Sequence, residues 1–425
     1  MTKEFFVPHA VIVDGYSGGV HLAPEFNKRG ISCLHVQSDS KIWPLVEPTF
    51  DYTPYREKLY IKDGFEALIQ KLKNAEVVAV LPGTETGVEL ADQISEALML
   101  PSNGTKLSEA RRNKFLMIET CRQADIPVAD QFCADNLPAL LSWHRASGLK
   151  NVIVKPLNSA GTDGVFKCQT SSDLEKAFHR IYGKENKLAL NNDLVLVQEF
   201  LQGTEYFIDS VSKNGQHAFT DIWKYKKRSI NGHDFVYDKN DLCAYDDPTV
   251  VLLRAYVVKV LNALNIQNGP AHAEVMMTEK GPRLVEIGAR LDGVTIPQVN
   301  RICVGFSPVD TTIDAFLSVD DFSKVQKNGY AIGKHASTVY LTAYQEGLLK
   351  SFTGETILKN LPSFHQMTLR MKLGGKIYKT VNYFTAPGVM TLIHADRAVI
   401  ESDYLKIREL ENSNQLLEIT PEMPL

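Results

Sequence analysis

The chain has 425 residues, of which 44% are hydrophobic and 23% charged, an ordinary globular composition for about two to four packed units. Its 46 lysines and arginines against 50 aspartates and glutamates give a net charge of −4, without the basic bias of nucleic-acid or anionic-membrane binders. The six cysteines form no CxxC pair, and no apolar stretch has the length of a signal peptide or membrane span. We therefore expect a cytoplasmic protein with no nucleic-acid or membrane partner.

The N-terminal segment alternates short apolar runs with helical patterns. Strand candidates at 10–13, 31–36 and 77–81 are separated by helical segments, an order that favours a parallel sheet with helices on its faces. We expect an α/β unit over residues 1–107.

The pentapeptide Gly15-Tyr16-Ser17-Gly18-Gly19 matches GxSxG between a strand and a helix, as in the nucleophile elbow of serine hydrolases. In that fold several strands precede the elbow, whereas here it follows the first strand, so no earlier loop supplies an oxyanion hole. Two interpretations stay open, a nucleophilic Ser17 or a tight turn whose helix N-terminus receives an anion. The position favours the turn.

Beyond residue 107 the pattern changes. A helix is expected from Ser108, a residue type favoured at the N-cap, to Ala124. Consecutive strand candidates then follow at 193–199, 205–212 and 217–225 without intervening helices, and they predict an antiparallel sheet. The end of the chain, 331–425, is β-rich with some helix, so the overall prediction is α/β and α+β.

Lys155 ends a strand candidate and precedes the small-residue loop 158–165. Small residues let backbone N–H groups converge on oxyanions, and a lysine beside them adds a point charge. The spacing is typical of phosphate binding, although the P-loop pattern GxxxxGK[ST] is absent. A structural lysine at the edge of a hairpin is the alternative.

Two strands joined by a tight hairpin place Glu274 opposite Glu286. Their Cβ atoms would lie about 5 Å apart, and two carboxylates there repel by roughly 3 kcal/mol at an effective dielectric of 20. Either Mg²⁺ completed by phosphates relieves this repulsion, or Arg283 or Arg290 does so alone. With an unrelieved pair, we expect Glu286→Gln to stabilise the ligand-free protein slightly.

Taken in order, these features and Lys114, Gln198 to Glu205 and Arg290 resemble the ATP-grasp superfamily over residues 108–310. The segments VDGYSGG, PGTETGVELAD, RRNKFLM, KPLNSAGTDGV and VEIGARLDG are similar to carboxylate–amine ligases of the L-amino-acid ligase type, which include builders of dipeptide antibiotics. The resemblance implies four parts: a Rossmann-like α/β domain (1–107), a small ATP-grasp lobe (108–192), a large lobe (193–330) and a C-terminal α+β domain (331–425).

The resemblance also implies how ATP is held. Lys114 and Lys155 would grip the α and β phosphates, and the backbones of Glu199 and Leu201 would read adenine, while Glu205 holds the ribose. The remaining nucleotide-binding residues that it implies are Ser159, Ala160, Gly161, Thr162, Gly164, Gln198 and Phe200.

For catalysis, the resemblance implies Mg²⁺ on Glu274 and Glu286, with Lys155 and Arg290 as catalytic residues. ATP would phosphorylate a carboxylate, and an amine would convert the acyl phosphate to an amide, releasing ADP and phosphate. Many family members carry Asn two residues after the second metal glutamate; here that position is Gly288, which puts the coordination of a second metal ion in doubt.

The substrates are expected to be a carboxylate and an amine, both amino-acid-like, and a homodimer is possible. The polar and aromatic segment that carries Trp223, Tyr225, His233 and Tyr237 either lines their pocket, beside Arg290, or forms a solvated flap. Two alternatives share the scaffold, namely a biotin-carboxylase or purine-pathway enzyme and a non-catalytic ATP-binding regulator.

Overall fold

The computed structural model describes residues 8–39, 46–159, 163–186 and 190–420. Within these residues one parallel sheet is followed by antiparallel ones, which confirms the predicted α/β and α+β fold class. None of the described helices is long and apolar enough to cross a lipid bilayer.

The N-terminal unit is a parallel sheet of order β3-β2-β1-β4. All five residues of its central strand are buried, because α1 packs on one face of the sheet and α2 and α3 pack on the other. The loops after β1 and β4 leave the same edge of the sheet, where ligands bind in open α/β folds. The strands are β1 (His9–Val13), β2 (Ser32–Gln37), β3 (Tyr55–Tyr60) and β4 (Val77–Pro82), and the helices are α1 (Leu22–Lys28), α2 (Phe65–Lys73) and α3 (Val88–Ala97).

A second, four-stranded sheet has the order β5-β8-β6-β7. Its strand β8, predicted to belong to the next sheet, pairs instead with β5 and β6. The boundary expected between residues 192 and 193 therefore falls inside this sheet, and we move it to follow Glu199. The elements are β5 (Gln131–Ala134), β6 (Val152–Pro156), β7 (Phe166–Cys168), β8 (Val195–Glu199), α4 (Lys114–Gln123), α5 (Leu137–Ser147) and α6 (Ser171–Ile181).

The helix expected from Ser108 begins later. Asn113 caps it by accepting the backbone N–H groups of Phe115 and Leu116, while the Ser108 hydroxyl is bound to the carboxylate of Asp92. Because an N-cap side chain must be free to bind backbone N–H groups, Ser108 does not serve as the cap. This shift puts Lys114 in the first turn of α4.

The third sheet has eight strands in the order β13-β12-β9-β10-β11-β14-β18-β16. The apolar helix α7 packs on it and shares a buried core with β9, β10, β12 and β13. The strands are β9 (Gly203–Lys213), β10 (Gln216–Ile230), β11 (His233–Leu242), β12 (Gly269–Thr278), β13 (Gly281–Gly288), β14 (His335–Tyr340), β16 (Phe364–Leu369) and β18 (Gly388–His394), and the helices are α7 (Pro248–Ala263), α8 (Pro297–Val304), α9 (Pro308–Leu317) and α10 (Val319–Asn328).

The C-terminal part is β-rich with helix, as predicted, but it is not separate from the large lobe. Three of its strands continue the eight-stranded sheet, since β14 pairs with β11 and β18 with β14. Its other strands form a small sheet of order β17-β15-β19. These and its helices are β15 (Gly347–Ser351), β17 (Lys376–Ile377), β19 (Glu418–Thr420), α11 (Glu355–Lys359) and α12 (Arg397–Asn412).

Candidate active site

The loops after β1 and β4 form one wall of a large cleft. A Cβ on Gly19 would lie 2.3 Å from the Cα of Gly83, so the loops touch only because both residues lack side chains. The Ser17 hydroxyl donates to the carbonyl of Gly293 at 2.6 Å. A nucleophilic serine needs a base to accept that proton, and a carbonyl is not one, so the geometry favours the turn interpretation.

Two lysines, Lys114 and Lys155, lie close together beside Glu286. Lys155, at the end of β6, is 5% exposed, and its Nζ donates to Oε1 of Gln198 at 3.0 Å. Burial and the neighbouring charge of Lys114 lower the pKa of Lys155 to about 8. Lys155 is therefore a buried cation with a second cation beside it, an environment that an incoming phosphate would relieve.

The start of the small-residue loop is hydrogen-bonded to Lys114. Lys114 Nζ donates to the carbonyl of Ser159 at 2.7 Å, and the Ser159 hydroxyl donates to Asp163 at 2.9 Å. Gly164 has φ +66°, and a Cβ there would lie 3.0 Å from the ring of Pro156. The predicted positions Ala160, Gly161 and Thr162 lie outside the described residues.

The predicted adenine segment links the two lobes. Glu199 N–H donates to the carbonyl of Asp130 at 2.7 Å, and Phe200 N–H donates to that of Asn151 at 3.2 Å. Among the described residues the Leu201 N–H has no hydrogen-bond acceptor. A flat heterocycle can use such a free donor in an otherwise fixed extended backbone.

Glu205, the expected ribose ligand, is bound to a lysine. Both of its oxygens accept from Lys227 Nζ, at 2.7 and 2.8 Å. Burial raises the pKa of Glu205, while Lys227 opposes that rise. A ribose hydroxyl would therefore meet a carboxylate already held in one orientation. Lys227 belongs to the polar and aromatic segment predicted either to line the substrate pocket or to form a flap, but its contact with Glu205 was not predicted.

Glu274 and Glu286 lie directly opposite each other on β12 and β13, in the predicted register. The cation that contacts the pair is a lysine and not one of the two predicted arginines alone: Lys114 Nζ lies 2.9 Å from Oε2 of Glu286. Arg283 instead donates to the backbone carbonyls of Lys280 and Pro282. The oxygen atoms of the two carboxylates are the donors that a hard divalent cation prefers.

The contact with Lys114 bears on the expected effect of Glu286→Gln on stability. Burial alone would raise the pKa of Glu286, but Lys114, Lys155 and Arg290 outweigh it and lower the pKa to about 2. The folded protein thus favours the charged carboxylate, so we expect Glu286→Gln to destabilise the protein rather than to stabilise it as the sequence suggested. Attraction to Lys114 across 2.9 Å exceeds the repulsion from Glu274.

Arg290 is held by the N-terminal unit. Its Nε lies 3.0 Å from Oε2 of Glu85, in the loop after β4, and Nε of Arg112 lies 3.3 Å from the other oxygen. Sequence reasoning quoted the motif PGTETG but did not assign Glu85 or Arg112. A carboxylate between two guanidinium groups fixes both in place and leaves their remaining N–H groups for an anion.

Gly288 has a steric reason in this arrangement. A Cβ at this position would lie 2.9 Å from Cζ of Arg290 and 3.0 Å from Oε2 of Glu85. An asparagine side chain cannot occupy that volume without displacing the ion pair. Glycine at position 288, where many family members carry asparagine, therefore leaves room for the contact between Arg290 and Glu85.

The large cleft beside the loops after β1 and β4 has a volume of about 1270 Å³. Arg290, Arg112 and Glu85 line it, as do Tyr225 and Tyr237 of the predicted substrate segment. Trp223 lines a smaller adjoining pocket. His233 is exposed at the turn between β10 and β11 and lines neither cavity, so the structure does not bring it to the site.

A buried polar cluster lies next to the carboxylate pair. His272 Nδ1 is 2.7 Å from Oδ1 of Asp209, and its Nε2 is 3.9 Å from Oε1 of Glu274. Burial opposes protonation of His272, but Asp209 and Asp292 raise its pKa well above 6.5. The pair is thus an imidazolium bound to a carboxylate, and Asp292 completes the cluster.

Residues 149–298 match the family model described as an ATP-grasp domain. The chain is 33% identical to dapdiamide A synthase of Enterobacter agglomerans over 94% of this chain and 95% of that one. It belongs to the ATP-grasp carboxylate–amine ligases. The likeness extends over all of the sheets described above, so the chain is an ATP-dependent enzyme that forms amide bonds.

Two further proteins are similar to this ligase. The L-arginine-specific L-amino acid ligase of Bacillus subtilis is 24% identical over 57% of this chain and 60% of that one. The crystal structure of L-amino acid ligase from Bacillus licheniformis is 17% identical and superimposes with a TM-score of 0.72, covering 98% of this chain and 99% of that one. The second comparison confirms the ATP-grasp fold of the ligase.

Proposed function

We propose that this ligase uses ATP and Mg²⁺ to convert the carboxylate of one amino-acid-like substrate into an acyl phosphate, which the amine of a second substrate attacks. The observation that carries the proposal is that Lys114, Lys155 and Arg290 converge on the carboxylate of Glu286, and that Arg290 also lines the cleft. Each contributes the charge that one step of this chemistry needs.

The first requirement is to bring together anions that repel each other. The nucleotide phosphates and the substrate carboxylate are all negative, and their in-line approach gains rate mainly from positioning and charge stabilisation. Lys114 and Lys155 would neutralise the α and β phosphates from the small-lobe side. Arg290, held by Glu85 at 3.0 Å, would meet the transferred phosphoryl group from the opposite side.

Glu274 and Glu286 would hold the metal ion. Mg²⁺ held there would offset the charge of the phosphates, since this ion takes carboxylate oxygens and usually completes its coordination with phosphates and water. In the ligand-free chain Lys114 occupies the Glu286 carboxylate at 2.9 Å. We propose that Lys114 leaves Glu286 for the phosphates as the nucleotide and metal arrive together.

The chemistry requires no covalent enzyme intermediate, and the side chains are consistent with that. Burial raises the pKa of all six thiols, to about 12 for Cys33, Cys121, Cys168 and Cys243, so none is an activated thiolate. Ser17 donates its hydroxyl proton to a carbonyl. What remains for the protein is alignment and the exclusion of water from the acyl phosphate.

Amino acids are proposed as substrates because the relatives are named as a dapdiamide synthase and as L-amino acid ligases. The test is an ADP-release assay of the whole chain with pooled amino acids, followed by single pairs and identification of products by mass. Release that requires both a carboxylate and an amine supports the proposal. Equal release with bicarbonate, or ATP binding without any turnover, would contradict it.

A further inference from the structure

A pocket of about 240 Å³ adjoins the cleft. Asp292, Val294, Tyr340, Thr368, Arg370 and Tyr383 line both cavities, so the pocket opens into the cleft beside Arg290. The rings of Phe207 and Trp223 stack at 5.9 Å in its wall. Its volume is adequate for the side chain of one amino acid.

The inner part of this pocket is rich in hydrogen-bond acceptors. Asn240 is 5% exposed; its Nδ2 donates to the hydroxyl of Tyr340 at 2.9 Å, while its Oδ1 has no partner. Asp221 is 2% exposed and accepts from Trp223 Nε1 at 2.7 Å. An unpaired buried acceptor costs stability, so this surface is built for a ligand that supplies donors.

Asp292 stands at the junction of the two cavities. Asp209 is matched by His272 at 2.7 Å, whereas Asp292 forms no ion pair with any described lysine or arginine and accepts only the Val294 N–H, at 3.2 Å. Arg290 lies two residues away and lines the same cleft. The guanidinium of Arg290 and the carboxylate of Asp292, which also lies beside His272, match the two charges of an α-amino acid.

We propose that this pocket binds the amino acid whose carboxylate is activated, with Asp292 reading its α-ammonium group and Asn240 and Asp221 reading a side chain that carries hydrogen-bond donors. The carboxylate then faces Arg290 and the phosphates, because the charge of Asp292 at the mouth of the pocket repels it from the interior. This inference rests on the proposed function, and it makes Asp292 a determinant of specificity for α-amino acids over plain carboxylic acids.

Burial and the nearby Asp209 raise the pKa of Asp221 to about 8, although its hydrogen bonds with Trp223 and Thr220 oppose that rise. At neutral pH its carboxyl group is protonated, so it can accept from a ligand without adding a second bare charge beside Asp292. This leaves one ammonium-binding charge at the mouth and a neutral polar surface inside.

The first experiment measures binding without turnover. The whole chain, with Mg²⁺ and a non-hydrolysable ATP analogue, is titrated calorimetrically with the proteinogenic L-amino acids and with the matching des-amino carboxylic acids. We expect binding of amino acids with amide or hydroxyl side chains, and binding at least about 10-fold weaker for the des-amino acids and for apolar side chains of equal size. Absence of amino-acid binding, or equal binding of the des-amino acids, would overturn the inference.

The second experiment uses Asp292→Asn, which removes the charge at nearly constant volume, and Asp246→Asn, an exposed aspartate outside both cavities, as the matched control. Asp292→Asn should weaken amino-acid binding about 10- to 100-fold and leave des-amino binding unchanged. The control should change neither. An unaltered preference in Asp292→Asn refutes the assignment.

If Asp292→Asn does not fold, Asn240→Leu tests the pocket independently, since it should shift the preference from polar to apolar side chains. An unchanged preference there also overturns the inference. Amino-acid binding without ADP release in the presence of amines would instead refute the proposed ligase chemistry while leaving the pocket assignment intact.

Discussion

Replacement of Glu286 by glutamine tests which of two opposing electrostatic effects on its carboxylate is the larger. It removes the repulsion from Glu274, and it also removes the ion pair with Lys114, whose Nζ lies 2.9 Å away. Glutamine keeps the size and the hydrogen-bonding capacity of the side chain. Lys114 retains the carbonyl of Ser159 at 2.7 Å as a partner, so the variant leaves no orphaned donor.

The magnitude follows from the pKa of Glu286, which falls from 4.5 to about 2 on folding. A shift of that size corresponds to about 3 kcal/mol, and solvent screening of a side chain that is 28% exposed reduces it to about 1–2 kcal/mol. Because the folded-state pKa is lowered, this stability is present above pH 4.5 and is lost as the pH falls through 2. Glu286→Gln should therefore be less stable at neutral pH.

The assay is thermal unfolding of the nucleotide-free, metal-free chain at pH 7 and at pH 3. We expect a fall in Tm of roughly 1–4 °C at pH 7 and a smaller difference at pH 3. Glu274→Gln is the matched control, since the nearest charged partner of Glu274 is His272 at 3.9 Å. Both variants should lose Mg²⁺-dependent ADP release.

A Tm of Glu286→Gln equal to or above that of the wild type would refute this reasoning. It would mean that repulsion between the two glutamates dominates and that the contact with Lys114 contributes little. Loss of stability with full activity would refute the metal assignment instead.

Three further predictions concern the same cleft. Lys155→Met should reduce turnover, measured by ADP release, at least about 100-fold. It should also raise the Tm of thermal unfolding at pH 7, because burial lowers the lysine pKa to about 8 and the charged form costs stability below that pH. Unchanged turnover would remove Lys155 from the site. Ser17→Ala should keep turnover within about threefold, since no base activates its hydroxyl, and abolished turnover would restore the hydrolase interpretation. Gly288→Asn should displace Arg290 from Glu85 and lower kcat more than it raises KM for ATP in steady-state kinetics; equal changes in both would contradict this positioning role.

Features set by local sequence were predictable. The hairpin that opposes Glu274 and Glu286 follows from two strands and a short turn with Gly281 at φ +91°, because strand alternation fixes the register once the turn is known. The parallel N-terminal sheet likewise follows from the alternation of apolar runs and helical patterns. In both cases the determining residues lie close together in the chain.

Features set by distant contacts were not predictable. The contact of Glu85 with Arg290 joins residues 205 positions apart, and no local pattern marks either as the partner of the other. Strand β8 is followed in the chain by β9 and β10 without an intervening helix, yet it pairs with β5 and β6. Ser108 is a good N-cap residue by type, but the carboxylate of Asp92 binds its hydroxyl.

The continuity of the eight-stranded sheet limits how the chain can be divided. Strand β14 lies between β11 and β18, so a protein ending near residue 330 would leave the edge of β11 unpaired at Lys239, Asn240 and Asp241, which pair with β14. Such an edge is a template for intermolecular strand pairing and aggregation. A chimeric protein made from two relatives should therefore take its C-terminal part and its large lobe from the same parent.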